Sequence, residues 1–173
     1  MSNPSITPTP PAPEPLTGGC LCGQVRYAAA PASREGYYCH CTMCQRAFGN
    51  TRAAYFNLLK SELRWTTAEP AYYASSKIAR RGFCSHCGTP LSFEYAGSAR
   101  IDLSVGSLDE PSAITPTSHF AVESRIANWH GADGLKETRV DEYAPIVQRW
   151  KDAYGDAVQP GLEAARQGAI DKP

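Results

Sequence analysis

Seven of the 173 residues are cysteines, and they fall into three tight groups along the chain. The groups are Cys20-Leu21-Cys22, Cys39-His40-Cys41-Thr42-Met43-Cys44 and Cys84-Ser85-His86-Cys87. Cysteine thiolates bind zinc well, and spacings this short bring their sulfur atoms to one ion. A framework of disulfide bonds would leave one of the seven thiols over. We therefore interpret the three groups as metal ligands.

The first and third groups together offer four sulfur atoms. A C-x-x-C turn such as Cys84 to Cys87 places two sulfurs on one side of a tight loop, where they can share an ion at about 2.3 Å per Zn–S bond. Gly88 follows this turn and allows the backbone a positive φ. Cys20 and Cys22 can supply the second pair and close a tetrahedral site. Such a clip stabilises a fold by on the order of 10 kcal/mol, so we predict a structural zinc.

The middle group has a different chemistry, because Cys39, Cys41 and Cys44 can wrap one ion by themselves. Three thiolates leave the fourth position of the metal open for water or a substrate atom, which is typical of catalytic zinc. Zinc in such a site lowers the pKa of a bound thiol or water molecule. The spacing thus predicts two zinc ions per chain, with the second one catalytic.

Spacing leaves two alternatives open. Cys20 and Cys22 could pair with two cysteines of the middle group, which would leave Cys44, Cys84 and Cys87 over; geometry favours the four-plus-three partition. The second zinc could also be purely structural, with His40, His86 or a backbone atom as its fourth ligand.

The four histidines carry little signal of their own. His40 stands between two ligands, and we expect its ring to point away from their metal. His86 lies between Cys84 and Cys87 in the third group, and it could contact the metal ligands without binding the metal itself. His119 and His130 are isolated, which favours a hydrogen-bonded or exposed imidazole at each position.

Short apolar runs separated by turn residues predict a mainly β domain. The strands are expected at Gln24–Tyr27, Ala53–Asn57, Leu63–Thr66, Ala71–Ser75, Arg80–Cys84, Leu91–Tyr95, Arg100–Val105 and His119–Glu123. Residues Arg100–Val105 alternate polar and apolar side chains strictly, as a half-buried antiparallel strand does.

The period then changes to that of a helix. We predict an amphipathic helix from Glu142 to Tyr154, with Asp141 as its N-cap and Gly155 as its stop. Its apolar stripe, expected to pack in the core, comprises Tyr143, Ile146, Val147, Trp150 and Tyr154. Six prolines among the first fifteen residues indicate a disordered tail. The expected organisation is therefore a tail over 1–15, a zinc-binding domain over 16–139 and a C-terminal helix with a tail over 140–173.

Composition excludes several classes of protein. Seventeen basic and seventeen acidic residues cancel, so nothing indicates a nucleic-acid or anionic-membrane partner. The sequence has no run of about 20 apolar residues and no secretory signal pattern at its start. We expect a cytoplasmic protein, where thiols stay reduced. Nothing in the sequence indicates the oligomeric state.

Three segments resemble the glutathione-dependent formaldehyde-activating enzyme family, which includes the domain of centromere protein V. They are Gly19-Cys20-Leu21-Cys22-Gly23-Gln24-Val25-Arg26-Tyr27, Cys39-His40-Cys41-Thr42-Met43-Cys44-Gln45-Arg46 and Phe83-Cys84-Ser85-His86-Cys87-Gly88-Thr89-Pro90-Leu91. Residues 105–111 and Trp129 match as well, so the resemblance covers about Leu16 to Trp129.

The resemblance implies a zinc-clipped Mss4-like fold, also called a β-tent, with a C-terminal helix in this chain. It assigns the structural zinc to Cys20, Cys22, Cys84 and Cys87 and the catalytic-type zinc to Cys39, Cys41 and Cys44. The implied reaction joins glutathione and formaldehyde to give S-hydroxymethylglutathione, a carbon–sulfur lyase activity. The partner would then be a small-molecule thiol.

The resemblance names no proton donor, for which His40, Tyr38 and water are candidates. Arg46 and Arg52 are candidate partners for the carboxylates of glutathione. Fold does not fix function, so two competing functions are kept: a non-enzymatic zinc-stabilised protein-binding module, and a zinc or redox sensor that uses the middle cysteines.

Overall fold

The computed structural model describes residues 14–129 and 131–155. Most of the predicted tail, His130 and everything after Gly155 lie outside the described residues, and the expectations for them stay predictions.

The described residues form a mainly β structure with two α-helices. The strands are β1 Leu16–Gly19, β2 Arg26–Ala29, β3 Glu35–Cys39, β4 Ala53–Leu59, β5 Leu63–Trp65, β6 Ala71–Ser76, β7 Ala79–Phe83, β8 Pro90–Tyr95, β9 Arg100–Ser104, β10 Thr115–Phe120 and β11 Lys136–Thr138. The helices are α1 Thr42–Phe48 and α2 Ala144–Tyr154. The architecture is consistent with a Mss4-like fold that carries a C-terminal helix.

Two sheets organise the strands. A large sheet has the order β11-β10-β3-β4-β9-β8-β7-β6, and a small antiparallel sheet has the order β1-β2-β5. In the large sheet β10 runs parallel to both β3 and β11, whereas the remaining neighbours pair antiparallel. The strands β4 and β9 therefore lie in the middle of the sheet, with neighbours on both edges.

One face of the large sheet packs against the small sheet. Phe56 and Leu58 of β4 and Leu103 of β9 are fully buried there, together with Tyr27 of the small sheet. These side chains alternate with those of the opposite face, because successive residues of a strand point to opposite sides. Cys20 and Cys84 belong to the same apolar cluster, so the first cysteine site adjoins this core.

The opposite face is covered by α2. Ile146 and Trp150 of the helix are buried against a second cluster that contains Tyr55 and all three cysteines of the middle group. Gly155 ends the helix with a positive φ of 78°, and its amide donates to the carbonyl of Lys151. Gly155 therefore acts as the predicted stop.

Every predicted strand overlaps an observed one, but two details of the prediction are wrong. The strand β9 is not half-exposed: Asp102 and Ser104 are buried, because both faces of the central sheet are covered. The helix α2 begins at Ala144 rather than at Glu142, and its N-cap is Tyr143 without a side-chain hydrogen bond. Asp141 pairs instead with Arg139.

The predicted stripe of α2 is buried only in part. Ile146 and Trp150 are core residues, whereas Tyr143 is 45% exposed. Among the described residues, none of the helices has the length and apolar character needed to cross a membrane.

Trp150 should carry much of the attachment of α2. It is 2% exposed and stacks on Tyr154 at 4.7 Å between ring centroids. We expect Trp150→Ala to lower the free energy of unfolding by about 3–5 kcal/mol, as large-to-small changes at buried aromatic residues do. Denaturant titration measures this loss, with the exposed Gln148→Ala on the same helix as control. Equal stabilities of the two variants would contradict the packing of α2 on the sheet.

Candidate metal centres and the adjoining cavity

Four cysteines from distant parts of the chain meet at one end of the first core. The sulfur atoms of Cys20, Cys22, Cys84 and Cys87 all lie within 4.8 Å of one another. Cys20 and Cys22 are separated by 3.5 Å between sulfurs, and Cys22 and Cys84 by 3.7 Å. Both pairs are far longer than a disulfide bond of about 2.05 Å, and the cysteines are free.

The local backbone explains why these sulfurs converge. The amide of Val25 donates to the Cys20 sulfur at 3.2 Å, which orients that side chain inward. Gly88 has a φ of 76° and its amide donates to the carbonyl of Cys84, so the predicted role of this glycine in the turn is confirmed. Tetrahedral Zn–S bonds of about 2.3 Å would place sulfurs about 3.8 Å apart. The observed spacings therefore fit a zinc ion held by four thiolates.

The three cysteines of the middle group meet on the opposite face of the large sheet. Cys39 ends β3, Cys41 is the N-cap of α1, and Cys44 lies in the first turn of that helix. The amide of Cys44 donates to the Cys41 sulfur at 3.3 Å, and the sulfurs of Cys39 and Cys41 are 3.5 Å apart. The helix cap thus turns these sulfurs towards each other, at a spacing that also fits zinc.

All three of these cysteines are buried, and Cys22 of the first site is exposed. Among the His, Cys, Asp and Glu side chains of the described residues, the group of mutually close donor atoms at the middle site contains these three sulfurs and no fourth member. His40 and His86, considered as fourth ligands, are not part of it. The arrangement offers three ligands to an ion and leaves a position to be filled.

Arg81 of β7 brings a buried positive charge to this group. Its guanidinium donates to the Cys44 sulfur at 3.3 Å and to the Tyr55 hydroxyl at 2.8 Å, and the residue is only 4% exposed. A buried charge is tolerated when it is paired and hydrogen-bonded. Three thiolates and one Zn²⁺ carry a net charge of −1, which the guanidinium would neutralise.

In the absence of a metal, the same contacts determine which cysteines of the middle group are protonated. Hydrogen bonds from Cys39 and Cys41, followed by the charge of Arg81, hold the pKa of Cys44 well below its usual range. The hydrogen bond to Cys41 is the largest of the effects that raise the pKa of Cys39. Cys44 is therefore the first thiolate of the group, and its partner is Arg81.

A chain of hydrogen bonds leads from the middle site to solvent. His40 is fully buried, and its Nε2 lies 2.8 Å from Nδ1 of His119. His119 in turn lies 2.9 Å from a carboxylate oxygen of Asp133, which is exposed. These hydrogen bonds hold the segment between Cys39 and Cys41 in place, because they direct the ring of His40 to His119. The predictions of a ring turned from the metal and of a hydrogen-bonded His119 agree with this geometry.

A cavity of about 570 Å³ lies beside the middle site, between the sheet and α2. Its walls share five residues with the apolar cluster around the three sulfurs: Tyr37, Phe93, Tyr95, Phe120 and Ile146. Burial, and then the negative charges of the cysteines and of Asp102, raise the pKa of Tyr95 well above its usual range. This ring therefore lies close to both the cavity and the cysteines.

Polar groups on the floor of the cavity come from β4 and β9. Asp102 is opposite Asn57 in the register of these strands, and Asn57 Nδ2 donates to its carboxylate at 3.0 Å. Tyr37 provides a second hydrogen bond to this carboxylate. Burial raises the pKa of Asp102 to about 6.

The other predicted site residues lie elsewhere. Arg46 is exposed in the last turn of α1, and the guanidinium of Arg52 lies 3.8 Å from the ring centre of Tyr38. Tyr38 also stacks on His119. His86 is exposed. None of these four side chains lines the cavity.

Three residues of the site carried no recognisable signal in the sequence. Arg81 lies in an exposed-looking Arg80-Arg81 pair, and only the alternation of β7 shows which of the two turns inward. The polar and apolar alternation of β9 is typical of a strand whose polar side chains face solvent, whereas Asp102 is buried. Asp133 is far from the cysteines in sequence.

Loss of Arg81 should weaken metal binding at the middle site. We expect Arg81→Met to lower the zinc affinity of that site by about 10–100-fold, as changes beside a metal ligand do. Competition with a chromophoric chelator measures it. Arg80→Met is the matched control, because Arg80 pairs with Glu94 on the other face. Equal affinities in the two variants would show that Arg81 does not support the site.

The raised pKa of Asp102 predicts a specific dependence of stability on pH. Its folded pKa of about 6 exceeds the ordinary value of 3.8, so the folded state holds the proton longer than the unfolded chain. Stability is therefore lost as the pH rises through this range. Relative to Asp102→Asn, the wild type should lose about 1 kcal/mol of unfolding free energy between pH 5 and pH 7.5. Denaturant titrations at both pH values test it, and an unchanged difference would refute the burial of an ionisable carboxyl.

Comparison with known proteins places the chain in a family. A model of the glutathione-dependent formaldehyde-activating enzyme family matches residues 15–124. The chain is 32% identical over 78 residues to an uncharacterized lyase of Schizosaccharomyces pombe, an alignment that covers 45% of this chain and 56% of that protein. The chain thus spans just over half the length of this curated relative.

A solved structure of a Rhodobacter sphaeroides protein is similar with a TM-score of 0.43 and 20% identity, over 58% of this chain and 97% of the other. The family match covers more than half of the chain and contains all three groups of cysteines. The chain belongs to the glutathione-dependent formaldehyde-activating enzyme family.

Proposed function

We propose that this protein is a zinc-dependent lyase-type enzyme that joins glutathione to formaldehyde and yields S-hydroxymethylglutathione. Membership of the family and similarity to an uncharacterized lyase support a lyase-type activity. The observation that carries the specific proposal is the middle site. Three buried sulfurs converge there, paired with one buried guanidinium, beside a cavity large enough for a small molecule.

The two cysteine sites have different tasks in this proposal. Cys20, Cys22, Cys84 and Cys87 would hold a structural zinc, because four thiolates complete a tetrahedron and join the small sheet to the end of β7. Cys39, Cys41 and Cys44 would hold the second zinc, with one position left for a substrate. Zinc bound there would act as a Lewis acid and lower the pKa of a thiol brought beside it.

Arg81 and the aromatic walls make a thiolate tolerable at this place. The guanidinium is hydrogen-bonded to Tyr55, so its direction towards Cys44 is fixed before any substrate arrives. Tyr37, Tyr95 and Phe93 exclude water from the sulfurs, and a dry site strengthens each electrostatic interaction. The residues of the chain therefore offer a preorganised positive charge near the point where a thiolate must sit.

The reaction itself is an addition. The glutathione thiolate forms a bond to the formaldehyde carbon, and the π electrons of the carbonyl move to its oxygen. That oxygen then takes up one proton, equal to the one lost by the thiol, so nothing leaves. Because thiols add to formaldehyde readily in water, the protein needs to supply orientation and a larger fraction of thiolate.

A substitution at Cys41 separates this function from the fold. Serine is also a good N-cap, so Cys41→Ser should keep α1 while removing one of the three sulfurs. We expect the variant to fold, to retain one zinc instead of two, and to lose at least about 10-fold of the catalysed rate. Two-dimensional exchange NMR of ¹³C-formaldehyde with glutathione measures the rate above the uncatalysed background.

Met43→Leu is the control within the same segment, since it leaves all three cysteine sulfurs of the group in place. Full catalysis by zinc-loaded Cys41→Ser would overturn the proposal. A wild type that accelerates nothing and binds no thiol would favour the competing interpretation of a protein-binding module with two structural zinc ions.

A further inference from the structure

The cavity beside the middle site has a polar wall that the addition reaction does not use. Asp102 and Asn57 form its floor, and Arg149 of α2 stands across from the sheet. The other acidic, basic or histidine side chains of the lining are Glu35, Arg100 and His119. Its volume of about 570 Å³ lies within the range of roughly 300–1,000 Å³ that small-molecule sites occupy.

The charges of this wall are balanced. Two carboxylates and two guanidinium groups line the cavity, whereas His119 is already hydrogen-bonded to His40 and Asp133. A site for a simple anion would present mainly positive groups. Charges of both signs along one cavity instead suit a ligand that carries an ammonium and a carboxylate together, as the end of an amino acid does.

Asp102 has the properties needed to receive the ammonium. It is only 7% exposed, and its carboxylate accepts hydrogen bonds from Asn57 and Tyr37. A carboxylate has about four acceptor positions, so it can accept further donors. An ion pair at a site this dry is stronger than one at the surface.

Arg149 has the properties needed to receive the carboxylate. It is partly buried, and its guanidinium lies 4.9 Å from the ring centre of Tyr95. It forms no ion pair with any carboxylate of residues 14–129 or 131–155. The planar guanidinium fork binds carboxylates in a bidentate manner. Arg100 is less available, because it donates to the side chain of Asn57.

The distance between this wall and the cysteines suits a peptide thiol. Tyr37, Phe93 and Tyr95 belong both to the cavity wall and to the cluster around the three sulfurs, so one layer of side chains lies between the cavity and the cysteines. The thiol of glutathione belongs to its middle residue, and seven bonds, about 8 Å when extended, join that sulfur to the α-carbon of the γ-glutamyl end. A single amino-acid thiol such as free cysteine could not reach both places.

We propose that the wall formed by Asp102 and Arg149 binds the zwitterionic amino-acid end of a γ-glutamyl peptide thiol while its sulfur lies at the middle cysteines. Asp102 takes the ammonium and Arg149 takes the α-carboxylate. This inference rests on the proposed function for the identity of the thiol, and it assigns to the cavity a selection of γ-glutamyl thiols over shorter ones.

The test uses a ligand that cannot bind through a thiolate. S-Methylglutathione keeps both ends of the tripeptide but has a blocked thiol, so its affinity for the zinc-loaded full chain reports on the cavity alone. Calorimetry should show binding that Arg149→Met and Asp102→Asn each weaken by about 10–100-fold, the range for a charge-assisted hydrogen bond. Lys151→Met, on the same helix but outside the cavity lining, should bind as the wild type does.

A second ligand identifies the end that is recognised. The N-acetylated form of S-methylglutathione lacks the ammonium, so it should bind more weakly to the wild type and be insensitive to Asp102→Asn. Equal affinity of the two ligands, or wild-type affinity in Arg149→Met, would overturn the inference.

Glutathione itself distinguishes the two proposals. If glutathione binds in a manner that depends on Cys41 and S-methylglutathione does not bind, then the wall is not a subsite and the proposed function stands. If neither ligand binds, both proposals fail.

Discussion

Three sulfur atoms packed under a sheet face impose the constraint from which the rest of the site follows. Their thiolates cannot stay in a dry core without compensating positive charge, and the chain provides one such charge in Arg81, fixed between Cys44 and Tyr55. One guanidinium cannot balance three thiolates, so the cluster is suited to a divalent cation. Without a metal, the raised pKa values of Cys39 and Cys41 and the lowered pKa of Cys44 favour one thiolate and two protonated thiols in the group.

The large sheet separates the middle site from the four-cysteine site. Alternation along β7 turns Arg81 to the face covered by α2, while Cys84, just beyond the same strand, enters the opposite core. The four-cysteine site can therefore fasten the small sheet without disturbing the middle site. The helix α2 has a double role: Ile146 and Trp150 close the second core, and Arg149 reaches the cavity beside it. A part of the chain outside the family match thus contributes to the candidate site.

The sequence was informative where a local rule decides the outcome. Cysteine spacing predicted both groups of sulfurs, Gly88 predicted a turn, and periodicity located most strands and α2. It was uninformative where burial depends on the whole sheet. Asp102 alternates with apolar neighbours as a solvent-facing residue does, yet β9 is central and has no solvent-facing side. The hydrogen bonds from His40 through His119 to Asp133 could not be predicted from the sequence for the same reason. They depend on the parallel pairing of β3 with β10, which brings His119 beside Tyr38.

The central claim is that Cys39, Cys41 and Cys44 hold a metal that accepts one more sulfur, from glutathione. The most direct measurement is the thiolate-to-metal charge-transfer absorption of the cobalt-substituted protein during titration with glutathione. Seven cysteine thiolates bound to two ions should become eight thiolates, so the band should grow by roughly one seventh, and S-methylglutathione should cause no growth. A band that glutathione leaves unchanged would mean that the middle site is closed to a further thiolate, and would contradict a thiol-binding role for this metal.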